Sequence, residues 1–287
     1  MSTTDRPFLT IIFALSFILL WSGCENSIDP IADEGENAFA VFGYLDMRVP
    51  TQKVRVELLR PTILSDPISL EGVQVSTIDR NNGTFQIWRD SSVVLDDGSA
   101  GVVYVAQFRP ELGHTYSLLI SRNDKLVAEA IAELPIKPAV TVAAAVGDSV
   151  NVTQHLTFLE LTDQPVALFV LYEVIPPDDS GVDLVRVGYG NPRMATVGGW
   201  EFDIDLSTDR FAILNALGLN VGTKDVKLKK VSMEMTLFSK EWSQPEKGEN
   251  LEHVLGFFAS VGVFEHSWTL NSETVTKMGF VDAQQGN

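Results

Sequence analysis

Residues 73–88 read VQVSTIDRNNGTFQIW, and this stretch decides the fold class. Apolar and polar residues alternate from Val73 to Ile78, which is the period of a strand with one buried face. Asn82-Gly83 then stands before a second run rich in β-forming residues, Thr84 to Trp88. Because Asn-Gly between two such runs is a strong hairpin signal, the stretch predicts two antiparallel strands joined by a tight turn.

Strand patterns continue on both sides of this hairpin. Apolar runs and charged-apolar alternations cover residues 39–45, 53–58, 101–106, 112–120 and 127–132. Six or more short strands within about a hundred residues, with turns every 8 to 12 residues, are typical of an immunoglobulin-like sandwich. We therefore predict a mainly β fold, with an Ig-like β-sandwich over residues 38–137.

The second half of the chain predicts another β-rich region with a short helix. Strand candidates cover residues 140–146, 156–161, 166–174, 184–189 and 231–238. Thr208 to Gly218 is the best helix candidate, because a capping Thr or Asp stands at its start and a Gly at its end. A break at Leu134-Pro135 separates the two halves, so we predict a second β-rich domain over residues 138–287.

The first residues of the chain predict export and lipidation. Phe8 to Trp21 is a nearly uninterrupted apolar run, too short for the roughly twenty residues of a spanning helix but suited to a signal peptide. Ser22-Gly23-Cys24 places small residues before a cysteine and resembles the lipobox cleaved by lipoprotein signal peptidase. We predict a signal peptide over residues 1–23 and acyl chains on Cys24 that anchor the protein in a membrane.

Cysteine usage and the following residues agree with this interpretation. Cys24 is the only cysteine in the sequence, so the one thiol stands where lipidation needs it and no disulfide is expected. Glu25 follows it instead of the aspartate associated with inner-membrane retention, which favours the outer membrane. Residues 24–37 are polar and acidic and predict a lipidated tether. An ordinary secretory signal, or an uncleaved anchor, is the alternative.

The charge of the chain excludes some partner classes. Asp and Glu number 38 against 21 Lys and Arg, which gives a net charge of -17. An acidic surface repels phosphate backbones, so we expect no nucleic-acid partner. Adsorption onto anionic lipid through a basic patch is disfavoured for the same reason, and membrane attachment is expected only through the lipid on Cys24.

Several motifs follow one another in a particular order. After the lipobox cysteine and the acidic tether come Gly43-Tyr44-Leu45, Arg60-Pro61, Gly113-His114-Thr115-Tyr116, Leu134-Pro135 and the Gly-rich apolar segment 256–262. This order resembles the domain of unknown function 4249 lipoproteins of Gram-negative bacteria. The resemblance implies an accessory protein of TonB-dependent outer-membrane receptors; it implies a partner class and no reaction.

Patterns that would indicate catalysis or zinc binding are weak. The four histidines, His114, His155, His253 and His266, form no close ligand pair, so no zinc site is predicted. Gly147-Asp148-Ser149 resembles an esterase nucleophile block whose serine His253 could activate. This triplet lies between two β-like stretches, and the interpretation that we prefer is a tight hairpin turn.

One acidic stretch has the spacing of a calcium loop. Its polar residues alternate along the chain and are Asp203, Asp205, Ser207 and Asp209. The sixth and twelfth positions of such a loop need Gly and an acid, and here they are Thr208 and Leu214. The alternative is a strand whose apolar residues, Phe202, Ile204 and Leu206, face inward. We predict no metal and no cofactor.

Tryptophans are the remaining candidates for a binding site. Trp88, Trp200, Trp242 and Trp268 could stack on a sugar or contact a protein, although a core position is the default for each. Trp200 follows Gly198-Gly199, and Trp242 lies in the polar segment 240–245. These two are therefore predicted as possible contact residues.

Together these observations predict a non-enzymatic, lipid-anchored outer-membrane protein. We expect it to act by protein contact, as an accessory to a TonB-dependent receptor. A surface carbohydrate- or peptide-binding module is the alternative, and a serine hydrolase that uses Ser149 is the third candidate.

Overall fold

The computed structural model describes residues 39–59, 70–94, 100–148, 150–161, 164–190, 192–194, 198–243 and 251–283. In this part of the chain the protein is mostly β, with short helices, which confirms the predicted fold class. No helix in these ranges is long and apolar enough to cross a membrane. The predicted signal peptide, Cys24 and the tether lie outside the described residues.

Nineteen strands and three helices are present in the described part of the chain. The strands are β1 (Phe39–Asp46), β2 (Thr51–Leu58), β3 (Val73–Asp79), β4 (Phe85–Ile87), β5 (Arg89–Val94), β6 (Ala100–Gln107), β7 (Thr115–Arg122), β8 (Lys125–Glu133), β9 (Ala139–Val142), β10 (Val146–Gly147), β11 (Val152–Leu159), β12 (Val166–Ile175), β13 (Asp183–Gly188), β14 (Arg193–Met194), β15 (Trp200–Asp205), β16 (Lys227–Phe238), β17 (Leu251–Glu252), β18 (Val254–Trp268) and β19 (Val281–Asp282). The helices are α1 (Leu206–Ala216), α2 (Lys240–Ser243) and α3 (Ser272–Lys277).

These described strands form three sheets. A nine-stranded sheet has the order β13-β12-β16-β18-β1-β2-β6-β5, with β19 beside β16. One five-stranded sheet has the order β17-β8-β7-β3-β4, and the other has the order β10-β11-β15-β14, with β9 beside β11. The large sheet therefore contains strands from both halves of the chain, and we call it the shared sheet.

The amino-terminal half forms a two-layer β-sandwich. Strands β1, β2 and β6 of the shared sheet pack against β3, β7 and β8, and buried side chains from both layers meet in one core, among them Val41, Val56, Leu118 and Ile120. Buried residues alternate with more exposed ones along β2 and β8, so each strand turns one face toward this core. The predicted β-sandwich is confirmed.

Tyr116 closes one corner of this sandwich. Its ring is buried, and its hydroxyl accepts a hydrogen bond of 3.0 Å from the backbone N–H of Glu111, five residues upstream. A tyrosine that bonds back to the chain in this way is a hallmark of immunoglobulin-like sandwiches. Gly113 makes the turn between them with a φ of +75°, so the Gly113 to Tyr116 motif has a structural role.

The predicted hairpin at Asn82-Gly83 is present. Gly83 has a φ of +76°, its N–H donates to the Asp79 carbonyl oxygen at 2.8 Å, and the Asp79 N–H donates to Thr84 at 2.9 Å. The second strand is short, because the chain leaves this sheet at Trp88 and continues as β5 in the shared sheet. Trp88 is buried in the core between the layers, where its Nε1 donates to Thr77 Oγ1 at 2.6 Å.

A second core lies between the other end of the shared sheet and the sheet that contains β11 and β15. It includes Tyr172 from β12, Met233 from β16, Leu156 from β11 and Ile204 from β15. Helices α1 and α3 add further apolar side chains to it, including Ile213 and Val275.

Helix α1 begins slightly earlier than the sequence predicts. It starts at Leu206, with Asp205 as its N-cap residue, because the Asp205 side chain accepts a hydrogen bond of 2.9 Å from the Thr208 N–H. After its end, Gly218 has a φ of +68°, and the Leu219 N–H donates to the Leu214 carbonyl oxygen at 2.8 Å. The predicted helix from Thr208 to Gly218 is confirmed with its boundaries shifted by two residues.

Strand β18 belongs to both cores. It runs parallel to β1 and antiparallel to β16. Its Phe258 is buried in the first core and its Phe264 in the second. The shared sheet continues from one half of the chain into the other, so it does not mark a boundary between domains. The boundary between residues 137 and 138 therefore stays a prediction.

Candidate functional site

An aromatic cluster lies on the outer side of the shared sheet, around Trp242 of α2. The Trp242 ring lies 5.3 Å from Tyr44, 5.0 Å from Phe238 and 5.0 Å from Phe257, measured between ring centroids. Its Nε1 donates to the Ser260 carbonyl oxygen at 2.8 Å. Together with Phe42, which lies beside Phe257 in the sheet, these rings form what we call the aromatic face.

The strand register places these aromatic side chains on the same face of the shared sheet. Val41 and Leu45 of β1 are buried in the first core, so the alternating residues Phe42 and Tyr44 point the other way. Phe42 pairs in register with Phe257 of β18, and paired residues of neighbouring strands share a face. Phe42 is therefore 48% exposed to solvent, and Tyr44 is 41% exposed.

Trp242 is held in place rather than freely exposed. Its ring is half-buried, with three aromatic neighbours and a hydrogen bond to the backbone. Ala259 and Val261 are fully buried and alternate with residues of the first core along β18, so they lie beneath the cluster. Trp242 therefore organises the aromatic face, and Phe42 and Tyr44 carry its exposed surface.

Positive side chains border the aromatic face. In β2, Lys53 pairs in register with Tyr44, and Arg55 pairs with Phe42. Arg55 forms an ion pair with Glu57, whereas Lys53 forms no ion pair with a described residue. The whole chain has a net charge of -17, so these basic side chains differ in sign from the chain as a whole. The arrangement can bury aromatic area against a partner and place a cation at the rim, which is chemistry of binding.

The other tryptophans take different positions. Trp200 lies at the start of β15, half-buried against the second core, whereas Trp242 lies in helix α2 on the shared sheet, so the two predicted contact tryptophans are not in one site. Gly199 before it has a φ of +82°, and a Cβ there would lie 2.1 Å from the Phe158 carbonyl oxygen. Trp268 donates from Nε1 to Gln154 at 2.9 Å. Trp88 and Trp268 therefore have structural partners.

The acidic stretch of β15 is a strand with one buried face. Phe202, Ile204 and Leu206 are buried, while Asp203 and Asp205 are exposed. The alternation from Phe202 to Leu206 is therefore present, with Leu206 as the first residue of α1. Among the described residues, no group of three or more His, Cys, Asp or Glu side chains could hold a metal ion.

Asp209 leaves this pattern because it belongs to α1 and points into the second core. It is 2% exposed and accepts a hydrogen bond from the Tyr172 hydroxyl. Burial raises the pKa of Asp209 to about 6, although hydrogen bonds from Tyr172 and Tyr189 act in the opposite direction and the charge of Asp205 adds to the rise. This buried carboxyl attaches the helix to the shared sheet.

Three histidines pair with carboxylates in the described part of the chain, and the third, His253, lies 3.9 Å from Glu252. His114 Nδ1 lies 2.8 Å from Asp79 Oδ2 in β3, and its Nε2 lies 3.7 Å from Glu111 Oε2 in its own turn. His155 Nδ1 lies 2.7 Å from Asp203 Oδ1. Arg193 also contacts Asp203 at 2.9 Å, which makes the second pair part of a surface ion network.

Gly147 is the last residue of β10, and Asp148 follows it in the connection to β11. The Val150 and Asn151 N–H groups donate to Asp148 Oδ1 at 2.8 and 3.1 Å. An aspartate that accepts bonds from the following backbone forms a tight turn, which confirms the preferred interpretation for Asp148. Ser149 itself lies outside the described residues.

Sequence reasoning did not single out Phe42, Tyr44, Phe238 or Phe257. The available signal was the position of Phe42 and Tyr44 in β1, alternating with Val41 and Leu45. Because neighbouring residues of a strand face opposite sides, this spacing places Phe42 and Tyr44 on the same side of β1, but it does not say which side faces the core.

Comparisons with known proteins find distant structural similarity and no sequence relative. No protein-family model matches the sequence, and no curated protein matches it. A crystal structure of bovine butyrophilin is 12% identical, covering 81% of this chain and 99% of that one, with a TM-score of 0.22. Pullulanase from Anoxybacillus sp. LM18-11 is 11% identical, covering 69% of this chain and 23% of that one, with a TM-score of 0.23. A cytokine receptor complex is 8% identical, covering 82% of this chain and 99% of that one, with a TM-score of 0.22.

Proposed function

We propose that this chain is a lipid-anchored outer-membrane protein that acts without catalysis, as an accessory to a TonB-dependent receptor. The aromatic face is its contact surface for the receptor, and the observation that carries this proposal is the exposure of Phe42 and Tyr44 beside Trp242. The lipobox-like sequence at Cys24 supports the anchor. The resemblance to receptor-associated lipoproteins supports the partner class.

Aromatic side chains suit such a contact for energetic reasons. Burying aromatic rings against a partner removes much apolar area from water at a small cost in side-chain entropy. Residues of this kind dominate the binding energy of many interfaces, provided that they lie in a preorganised setting. Here the hydrogen bond from Trp242 to Ser260 fixes the cluster, so Phe42 and Tyr44 need little ordering on binding.

The border of the aromatic face defines the chemistry of the partner. Lys53 stands beside Tyr44 and forms no ion pair with a described residue. A receptor surface with an apolar centre and an acidic rim complements this arrangement. The contact patch on the receptor is therefore expected to be acidic at its edge.

A carbohydrate- or peptide-binding module is the second candidate function. The same two exposed rings can stack on the apolar face of a sugar, and Lys53 and Arg55 can bind its hydroxyl groups or a peptide carboxylate. This alternative uses the same residues, so the experiments below separate it from the receptor contact by the molecule that binds.

Lipidation is tested at Cys24. Mass spectrometry of the protein extracted from membranes is expected to find an acylated amino-terminal peptide that begins at Cys24, and Cys24→Ala is expected to lose the acyl mass and the membrane association. Ser22→Ala keeps a small residue before the cysteine and serves as the matched control. A wild-type protein without acyl mass would overturn the anchor.

The contact surface is tested by removing the exposed rings. The double variant Phe42→Ser with Tyr44→Ser is expected to reduce crosslinked capture of a TonB-dependent receptor by about tenfold or more, as expected when interface anchor residues are lost. The matched control is Phe85→Ser, an aromatic side chain that is 52% exposed in another sheet.

The outcomes of this capture experiment are distinct. Equal receptor capture by both variants, or no receptor captured by the wild type, contradicts the proposed contact. Binding to a glycan array that is lost in the double variant and kept in Phe85→Ser supports the carbohydrate-binding alternative instead. Trp242 is left intact because its loss would disturb the fold of the face.

A further inference from the structure

A cleft lies at the far end of the second core, away from the residues of the aromatic face. It has a volume of about 640 Å³, within the range of roughly 300–1,000 Å³ typical of small-molecule sites. Its walls come from α1, the loop between α1 and β16, the end of α3 and the connection before β11, and they include Val150, Arg210, Phe211, Lys224 and Lys277.

The charge of the cleft is opposite to that of the whole chain. Three of its lining side chains, Arg210, Lys224 and Lys277, are cationic, and none of its lining residues in the described part of the chain is Asp or Glu. The whole sequence has 38 acidic and 21 basic residues, so a random surface of this size would hold more acids than bases. A concave site lined by one sign of charge attracts a ligand of the opposite sign.

The three cations have different freedom to bind. Arg210 donates from a terminal nitrogen to the carbonyl oxygens of Val221 and Thr223 at 2.9 and 3.0 Å, so it fixes the following loop. Lys277 forms an exposed ion pair with Glu273 at 2.8 Å. Lys224 is exposed and forms no ion pair with a described residue. Lys224 is therefore the cation most available to a ligand, and Lys277 is the second cation that can contribute.

Exposed apolar side chains lie in the same cleft. Phe211 is 51% exposed and Val150 is 71% exposed, although α1 buries its other large apolar residues, such as Ile213 and Leu214, in the core. Leaving these two side chains in water forgoes the favourable burial of their surface. A ligand that covers them recovers this burial.

We propose that this cleft binds a small anionic amphiphile, a molecule with a negatively charged head and an apolar body. The apolar body lies against Phe211 and Val150, and the charged head lies near the ammonium groups of Lys224 and Lys277. Neither an apolar ligand without charge nor a small anion without an apolar body uses both features. The site is separate from the aromatic face and does not depend on the proposed receptor contact.

The test uses hexanoate as the probe, with hexanol and acetate as partial ligands. Isothermal titration calorimetry of the purified full chain in lipid nanodiscs, with empty nanodiscs as the blank, is expected to show binding of hexanoate that is about tenfold tighter than binding of either partial ligand. Lys224→Glu and Phe211→Ser are each expected to weaken hexanoate binding by about fivefold to tenfold.

Matched controls stand elsewhere on the protein. Lys125→Glu changes an exposed lysine at the start of β8, and Phe85→Ser changes an exposed aromatic side chain in β4. Both are expected to keep wild-type affinity, and all four variants are expected to keep the thermal unfolding midpoint, since surface substitutions change stability little. Equal affinity for hexanoate and hexanol, unchanged affinity in Lys224→Glu, or no binding of hexanoate overturns the proposal.

Discussion

Replacing Gly256 with alanine is expected to lower the free energy of unfolding by about 3 kcal/mol or more. Gly256 has a φ of +120°, a conformation that side chains with a Cβ rarely adopt, and an added Cβ would lie 2.0 Å from the Val41 carbonyl oxygen. Val41 and Gly256 pair in register where β1 runs beside β18. The substitution therefore forces apart the two strands that join the halves of the protein, and urea unfolding measures the loss.

Gly262 in the same strand is the matched control. A Cβ at Gly262 would meet the end of the Leu112 side chain at 2.6 Å, and this side chain can move. Gly262→Ala is therefore expected to cost only about 1 kcal/mol, within the ordinary range for overpacking. Equal losses in the two variants would show that the close approach of β1 to β18 is not what makes Gly256 necessary.

The stability of the second core is expected to fall by about 3 kcal/mol as the pH rises from about 4 to about 7, through Asp209 alone. The pKa of Asp209 is about 6 in the folded protein against an ordinary value of 3.8, because the carboxyl is buried. The folded state thus holds this proton more tightly than the unfolded chain does. The contribution is full below pH 4 and is lost as the pH rises through 6.

Asp209→Asn isolates this effect from other titrating groups. An asparagine keeps an oxygen that accepts the hydrogen bond from Tyr172 and carries no charge at any pH. Urea unfolding of wild type and variant at several pH values is expected to give a difference that grows in favour of the variant between pH 4 and 7. A constant difference over this interval contradicts a raised pKa for Asp209.

The sequence predicts most strands of this fold because their patterns are local. The alternation of β2, β3 and β8, and the Asn-Gly turn at Gly83, are visible in short windows and reappear in the structure. Strand β18 was recognised only as a Gly-rich apolar segment over residues 256–262. Its length depends on pairing with β1 and β16 on either side, and no local window contains that information.

The candidate site is harder to predict for the same reason. Residues 39–45 are almost entirely apolar, so periodicity alone cannot tell which side of β1 faces water. Phe42 and Tyr44 are outward because Val41 and Leu45 join a core built with β3, β7 and β8. The polar surroundings of Trp242 single it out in the sequence, but its aromatic neighbours come from three separate strands, β1, β16 and β18.

The pairing of β1 with β18 also sets the order of events during synthesis. The first core includes Val254 and Phe258, which leave the ribosome long after the rest of the amino-terminal sandwich. That sandwich stays incomplete until nearly the whole chain has been made, and contacts between such distant residues form slowly. A chain that cannot complete its first core until late in synthesis is expected to stay unfolded longer, which suits the export of the proposed lipoprotein.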